Sequence, residues 1–183
     1  MELSDFQFIV LSEGIDLSIF DCDDLDINEF LKEDSLNYQK QKIANTYLFI
    51  EGTGKVVLFF SISNDCLNDL GEIKGFSKTI WNRFHRKNDI PNTKRIKQYP
   101  AIKIGRLGID KSLQGKGLAN QLMDFIKGWV VIDHKPACRL LLLDAYNKEK
   151  QIKFYQHNDF TFLLDEDVDD RTRIMYFDLL RLQ

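Results

Sequence analysis

The alternation of apolar and polar positions divides the first third of the chain into strands and one helix. Apolar runs of strand length occupy 6–14, 46–52 and 55–64. The last two flank Gly52-Thr53-Gly54 and therefore predict a hairpin. Residues 24–44 instead carry apolar side chains at helical spacing, with Asp26 as the expected N-cap.

From residue 101 onward, strand and helix patterns alternate. The strand at 101–110 has a slip in its alternation at Gly105, which indicates a bulge or a close backbone approach. The continuous apolar run at 138–146 is typical of a strand buried on both faces. Helices are expected after Leu118 and over 147–158, and two strands are expected at 160–166 and 171–180, around an acidic turn.

This order of elements predicts an α/β (α+β) fold in one domain over 1–183. Its sheet is expected to be mixed and mostly antiparallel, with helices on both faces. Residues 68–98 are irregular in pattern and are expected to form a basic insertion. No apolar run reaches the length of a bilayer span, and the first residues lack the basic start of a signal peptide.

The three cysteines are far apart and form no paired motif, so neither a disulfide framework nor a metal site is expected. A reducing cytoplasm is the simplest location for such a chain. Positive charge is uneven, because residues 74–106 hold ten Lys and Arg and one acid, although the net charge is −3. This segment is typical of a surface that meets a polyanion, or of a solvated basic loop balanced by acids nearby in space.

The turn Q-G-K-G-L-A at 114–119 joins the 101–110 strand to the following helix. A helix N-terminus has unpaired N–H groups that bind anions when no side chain blocks approach. The spacing matches neither the P-loop nor the dinucleotide fingerprint. From the residues alone, a simple strand-to-helix turn and an anion site are equally compatible with the pattern.

The longer stretch I-D-K-S-L-Q-G-K-G-L-A resembles the acetyl-CoA loop of the GCN5-related N-acetyltransferases (GNAT), whose core is [QR]-x-x-G-x-[GA]. The resemblance implies acetyl-CoA as cosubstrate and a pantetheine-pairing strand at Leu107, Gly108 and Ile109. The backbone that would hold the CoA pyrophosphate belongs to Gln114, Gly115, Lys116, Gly117, Leu118 and Ala119.

A second stretch, D-A-Y-N-K-E-K-Q-I-K-F-Y-Q-H-N-D-F, resembles the family segment that ends in F-Y-x-x-x-G-F. The resemblance implies that Asn147 contacts CoA and that Tyr155 protonates the departing thiolate. From the residues alone, Phe154-Tyr155 is also compatible with an aromatic pair that packs the helix on the sheet. Asp159 stands where the family has Gly, and Gln151 where it has a small residue.

A third resemblance covers F-D-C-D-D-L-D-I-N-E-F-L and P-A-I-K-I-G-R-L-G-I-D. Both are similar to a GNAT subset that includes toxins of toxin–antitoxin pairs, which acetylate the amino group of aminoacyl-tRNA. Asp23 stands where this subset has Gly. The resemblance implies tRNA as substrate and a protein antitoxin as partner. A homodimer is the candidate assembly, and no membrane contact is expected because no apolar run reaches the length of a bilayer span.

In this interpretation, basic side chains of the 74–106 segment contact tRNA phosphates; the candidates are Lys94, Arg95, Lys97 and Arg106. Trp81, Phe84 or Tyr99 could stack on a base, although Trp81 and Phe84 also fit the core of an amphipathic helix, which is the preferred interpretation. The three histidines are expected to be isolated and exposed.

No side chain near the 101–110 strand is an evident base for the acceptor amine, and Asp110 is interpreted as a turn residue. An α-amino group has a pKa near ~8, so it is partly neutral without a base, whereas lysine has a pKa of about 10.4. The pattern therefore favours an α-amine. A small amine or a protein N-terminus is the alternative acceptor, and a non-catalytic CoA-fold binding module is the alternative function.

Overall fold

The computed structural model describes residues 1–68, 77–90, 96–132 and 137–182. Seven strands follow the hydrogen-bonded order β1-β2-β3-β4-β5-β7-β6. They are β1 (Gln7–Val10), β2 (Asn45–Ile50), β3 (Val56–Asn68), β4 (Gln98–Ile109), β5 (Leu140–Tyr146), β6 (Thr161–Phe162) and β7 (Thr172–Asp178). The described helices are α1 (Leu25–Glu29), α2 (Ser35–Lys40), α3 (Lys78–Lys87), α4 (Leu118–Ile132) and α5 (Glu149–His157).

The chain forms two compact units, each with its own core. The first contains Met1–Asn64 and Ile104–Ile126, and the second contains Asp65–Lys103 and Lys127–Gln183. Within the described residues, no helix combines the length and the apolar character needed to cross a membrane.

The first unit is built on the predicted hairpin. Strand β2 pairs with β1 and with β3, in both cases antiparallel. Gly54 takes a φ of 88° in the connecting turn, a conformation that glycine adopts without a steric penalty. Phe20, Leu31 and Phe59 are fully buried in the core of this unit.

The N-terminal helical region of the first unit differs from the prediction in two ways. A π-helical turn, Phe30–Asp34, separates α1 from α2, and the region ends at Lys40. The N-cap is Asp24, whose carboxylate accepts a hydrogen bond from the Ile27 amide at 3.2 Å. Asp26 was the wrong choice because it already lies in the first turn.

The second unit contains the one parallel pairing among those recorded. Strand β4 pairs with β5 from Ala101↔Leu140 to Lys103↔Leu142, and β5 pairs antiparallel with β7. Residues 140–143 are buried, as the apolar run predicted. Strand β6 is only two residues long, shorter than predicted. The Leu163 amide still donates to the Ile174 carbonyl at 2.9 Å, and Leu163 and Leu164 are buried in the core.

An aromatic cluster forms on the inner face of α3. Trp81, Phe84 and Tyr99 are 4%, 4% and 5% exposed. The prediction of Trp81 and Phe84 as core residues is confirmed, and base stacking by any of the three is wrong because the rings are buried. His85 is also buried, and its Nε2 lies 3.0 Å from the Tyr99 hydroxyl. The expected exposure of His85 was wrong because this hydrogen bond satisfies the ring inside the core. His157 is exposed as predicted, and His134 lies outside the described residues.

Candidate active site

The turn before α4 has the backbone shape of an anion cradle. Gly115 and Gly117 take φ values of 75° and 80°, and a Cβ added at either would meet no atom within 4 Å. Among the described residues, the amides of 115–119 donate no hydrogen bond to a protein group. Exposed amides at a helix N-terminus attract a diphosphate, and Lys116, also exposed, adds a cation. The residues present therefore fit the pyrophosphate of CoA.

The side chain of Gln114 stabilises this turn through two hydrogen bonds. Its amide nitrogen donates to the Cys22 carbonyl at 2.9 Å and to the Ile109 carbonyl at 3.1 Å. Both of its amide protons are thus used within the protein. Gln114 fixes the shape of the turn, while the backbone of the following residues remains available to a ligand.

Asp110 is a buried hub at the end of β4. Its carboxylate accepts hydrogen bonds from the Lys55 ammonium at 2.9 Å, from the Ser112 amide at 3.1 Å and from the Ser112 hydroxyl. Burial alone would raise the pKa of this carboxyl, but the hydrogen bonds from Ser112 and Lys55 outweigh it and hold the pKa below its ordinary value. Asp110 is therefore the turn residue that the sequence indicated and a poor proton acceptor.

A second connection joins the N-terminal segment to the same turn. The Lys111 ammonium donates to Asp21 at 2.8 Å and holds the pKa of that carboxyl well below its usual range. Asn28 donates to Asp21 at 2.8 Å and accepts from the Cys22 amide at 3.0 Å. All three residues lie in the stretch that carries the third resemblance, but sequence reasoning missed their contacts with the turn, because the partner Lys111 is 90 positions away in the chain.

Asp23 completes that segment with a φ of 62°. This left-handed conformation is the one that Gly would supply, and Asp tolerates it better than most residues. The substitution of Asp for Gly at this position therefore keeps the turn.

On β4, Gly108 is a packing residue. A Cβ there would lie 2.6 Å from Phe59 Cε1, 3.0 Å from Ile27 Cγ2 and 3.2 Å from Phe20 Cζ. At Gly105 a Cβ would lie 3.1 Å from the Ser61 hydroxyl, so the close approach predicted from the pattern is present. The flanking positions 107 and 109 are half-buried. Contact of 107–109 with pantetheine stays a prediction.

The predicted acid, Tyr155, lies on α5 in the second unit. Its ring packs edge-to-face against Phe154 at 5.1 Å and against Phe160 at 6.0 Å between centroids. Burial raises the pKa of the Tyr155 phenol to about 12. The packing interpretation and the acid role are thus compatible, because the ring is held by aromatic neighbours and the phenol stays protonated at neutral pH.

Asn147 begins the loop between β5 and α5. Its side-chain nitrogen donates to the Val168 carbonyl at 2.7 Å and to the Asp170 carbonyl at 3.0 Å. Only the side-chain oxygen of Asn147 remains to accept a hydrogen bond from a ligand. The predicted CoA contact, if made by the side chain, is restricted to that atom.

Two of the four predicted tRNA-binding residues belong to the part of the chain that the structure describes. Lys94 and Arg95 lie outside the described residues, and Lys97 is exposed. Arg106 pairs with Asp26 at 3.2 Å and lies over the Phe30 ring, with its side chain 39% exposed. Other basic residues of the 74–106 segment also form ion pairs with acids: Arg83 pairs with Asp165 and Lys103 pairs with Asp144. Part of the positive charge of the segment is therefore neutralised within the protein.

Comparison with a family model settles the class of protein. The model of the acetyltransferase (GNAT) domain matches residues 68–162, just over half of the chain. The chain belongs to the GNAT family. The predicted fold, the acetyltransferase class and acetyl-CoA as acetyl donor are thereby confirmed.

Solved structures share the GNAT fold along nearly the whole chain. A tyrosine-to-phenylalanine mutant of KacT has a TM-score of 0.69 at 23% identity, covering 98% of this chain and 99% of that one. AtaT complexed with acetyl-methionyl-tRNAfMet has a TM-score of 0.69 at 23% identity, covering 97% of both chains. A tyrosine-to-phenylalanine mutant of the AtaT toxin, bound to the C-terminus of the antitoxin AtaR and to acetyl-CoA, has a TM-score of 0.66 at 21% identity, covering 97% and 96%.

Proposed function

We propose that this GNAT chain acetylates the α-amino group of aminoacyl-tRNA, as a cytoplasmic toxin neutralised by a protein antitoxin. The observation that carries the proposal is the near full-length likeness to AtaT, a fold seen in complex with acetyl-methionyl-tRNAfMet. A homodimer is the proposed assembly. Among the described residues, three free cysteines and the absence of a membrane-crossing helix are compatible with the cytoplasm.

Binding of the acetyl donor is assigned to the turn before α4. The free amides of 115–119 would hold the diphosphate, and Gly115 and Gly117 leave room for it. When bound, acetyl-CoA supplies a thioester carbonyl and a thiol leaving group. The half-buried positions 107 and 109 would align the pantetheine along β4.

Proton movement is assigned to Tyr155. As the amine nitrogen bonds to the carbonyl carbon, the carbon–sulfur bond breaks, and the proton lost by nitrogen must reach sulfur. A phenol with a pKa of about 12 is protonated and can donate to the sulfur. A thiol has a pKa of about 8.5, so full ionisation of Tyr155 would be unfavourable. Tyr155 therefore donates to sulfur while it regains a proton from the amine.

The acceptor is assigned from the state of Asp110, the carboxylate at the end of β4. Asp110 is engaged by Lys55 and Ser112, and its lowered pKa makes it a weak base. An α-amino group near pKa ~8 provides neutral amine unaided, which lysine near about 10.4 does far less. This supports the α-amine of an aminoacyl ester over a lysine side chain.

Contact with the tRNA backbone is assigned to the exposed basic face of α3, with Lys94, Arg95, Lys97 and Arg106 as further candidates. Lys78, Arg86 and Lys87 are exposed on this helix. Each phosphate contact makes the affinity fall with salt, with a slope of about 0.7 to 0.9 per neutralised charge in a log–log plot.

The decisive experiment measures free thiol released from acetyl-CoA with aminoacyl-tRNAs, polyamines, amino acids and peptides. We expect turnover with aminoacyl-tRNA and a kcat about 100-fold lower for Tyr155→Phe. Arg86→Ala with Lys87→Ala should weaken tRNA binding and flatten its salt dependence. Lys153→Ala is the matched control, since this exposed lysine of α5 already pairs with Glu149.

Other outcomes identify the alternatives. Turnover with only small amines or peptides would favour the small-amine or N-terminal acceptor. No thiol release with any amine, together with normal growth at high expression, would favour a binding module and contradict the proposal.

A further inference from the structure

The C-terminal end of α5 is closed by a specific hydrogen-bond pattern. The Phe160 amide donates to the Tyr155 carbonyl at 3.0 Å, and the Asp159 amide donates to the Gln156 carbonyl at 3.0 Å. Asp159 takes a φ of 63°. Together these features form a Schellman motif, in which a left-handed residue after the helix lets the chain reverse onto its last turn.

The motif brings the next residue back against the predicted acid. Phe160 is 1% exposed, and its ring contacts Tyr155 edge-to-face at 6.0 Å and Phe177 of β7 at 5.8 Å between centroids. A hydrophobic contact between these two positions commonly accompanies a Schellman motif. Here, Phe160 holds both the backbone carbonyl and the ring of Tyr155.

Ring packing is what orients the Tyr155 hydroxyl. In the described parts of the chain, this hydroxyl donates or accepts no hydrogen bond within the protein, so no polar partner directs it. The hydroxyl lies at the far end of a rigid ring, where a small tilt moves it most. The contacts with Phe154 and Phe160 therefore decide where it points.

We propose that Asp159 and Phe160 are positioning residues that aim the Tyr155 hydroxyl through the cap of α5. This rests on the proposed function, in which Tyr155 is the proton donor. Asp159 acts only through its left-handed backbone, and Phe160 through its ring. The substitution of Asp for the family's Gly preserves the device because Asp tolerates this conformation.

The test is a double-mutant cycle read in kcat. Asp159→Val resists the left-handed conformation, whereas Asp159→Gly accepts it, and both lose the exposed contact with Arg181 at 3.7 Å. We expect Asp159→Val to lower kcat about tenfold with the KM for acetyl-CoA unchanged, and Asp159→Gly to retain kcat. Phe160→Leu, which keeps the site apolar, should lower kcat in the same way.

The same changes are then made in Tyr155→Phe, where they should cause no further loss because the hydroxyl is already gone. Equal losses with and without the hydroxyl would mean a structural role and overturn the proposal. Unchanged kcat in both Asp159→Val and Phe160→Leu would overturn it as well. If Tyr155→Phe alone leaves kcat unchanged, the proposed acid role is wrong, and the positioning proposal is wrong with it. This result differs from the two above, so the failure of the proposed function can be told apart from the failure of the positioning role.

Discussion

Replacing Gly108 with Ala tests the packing of the first unit most directly. The new methyl carbon would lie 2.6 Å from Phe59 Cε1 and 3.0 Å from Ile27 Cγ2, whereas carbon atoms pack best at about 3.5–4.0 Å. Phe59 and Phe20 are fully buried, so neither ring has free space to move into. Overpacking of this kind costs about 1–3 kcal/mol of unfolding free energy.

The magnitude can be measured by urea unfolding of the full chain at 25 °C, followed by circular dichroism. A loss of about 1–3 kcal/mol corresponds to a fall in Tm of roughly 2–12 °C for a chain of this size. Gly128→Ala is the matched control, because Gly128 lies inside α4 with no atom within 4 Å of an added Cβ. Helix propensity predicts that this control gains about 0.5–1 kcal/mol.

A further variant separates overpacking from other causes. Phe59→Leu removes part of the ring that the new methyl meets, so Gly108→Ala should cost less in the Phe59→Leu background than alone. Unfolding free energies of Gly108→Ala and the wild type that agree within error would refute the reasoning. So would a cost that is identical in both backgrounds.

Three further outcomes follow from backbone strain and from charge. Gly117→Ala, forced to a φ of 80°, should raise the Kd for acetyl-CoA measured by calorimetry about tenfold, whereas Gly52→Ala should leave this Kd unchanged. Equal affinities of the two variants would contradict the proposal that the turn before α4 binds the diphosphate. Asp23→Gly should be more stable than Asp23→Ala by about 1 kcal/mol in urea unfolding, and the reverse order would exclude strain at this position. The folded pKa of Asp110 lies below its ordinary value of 3.8, so the stability that Asp110 contributes is present above about pH 4 and is lost as the pH falls through the folded pKa. Asp110→Asn should therefore weaken the dependence of the unfolding free energy on pH below about pH 4. An unchanged pH dependence would count against the assignment.

Local signals in the sequence predicted most of the fold. The glycine turn at 52–54 and the apolar run at 138–146 placed β3 and β5, since both depend on residues next to each other in the chain. The motif at 114–119 likewise identified the open turn before α4. The length of β6 was missed because the apolar run continues through the buried Leu163 and Leu164, so the local pattern does not show that the pairing with β7 ends at Phe162.

The supporting contacts of the site could not be predicted for the same reason. Gln114 belongs to the recognised motif, yet its bond to the Cys22 carbonyl joins residues 92 positions apart. His85 looked isolated because its partner Tyr99 comes from a different element. Asp23 and Asp159 looked like departures from the family, but both take a left-handed φ, the conformation that glycine adopts most readily.

The link between Gln114 and the Cys22 carbonyl also limits how far the chain can be shortened. A fragment trimmed to residues 68–162 would retain every position that the family model matches, including both signature stretches. It would lack the upstream carbonyl and the Asp21 carboxylate that hold the turn at its base. Such a fragment would contain both signature stretches and still lack the contacts that fix the conformation of the CoA-binding turn.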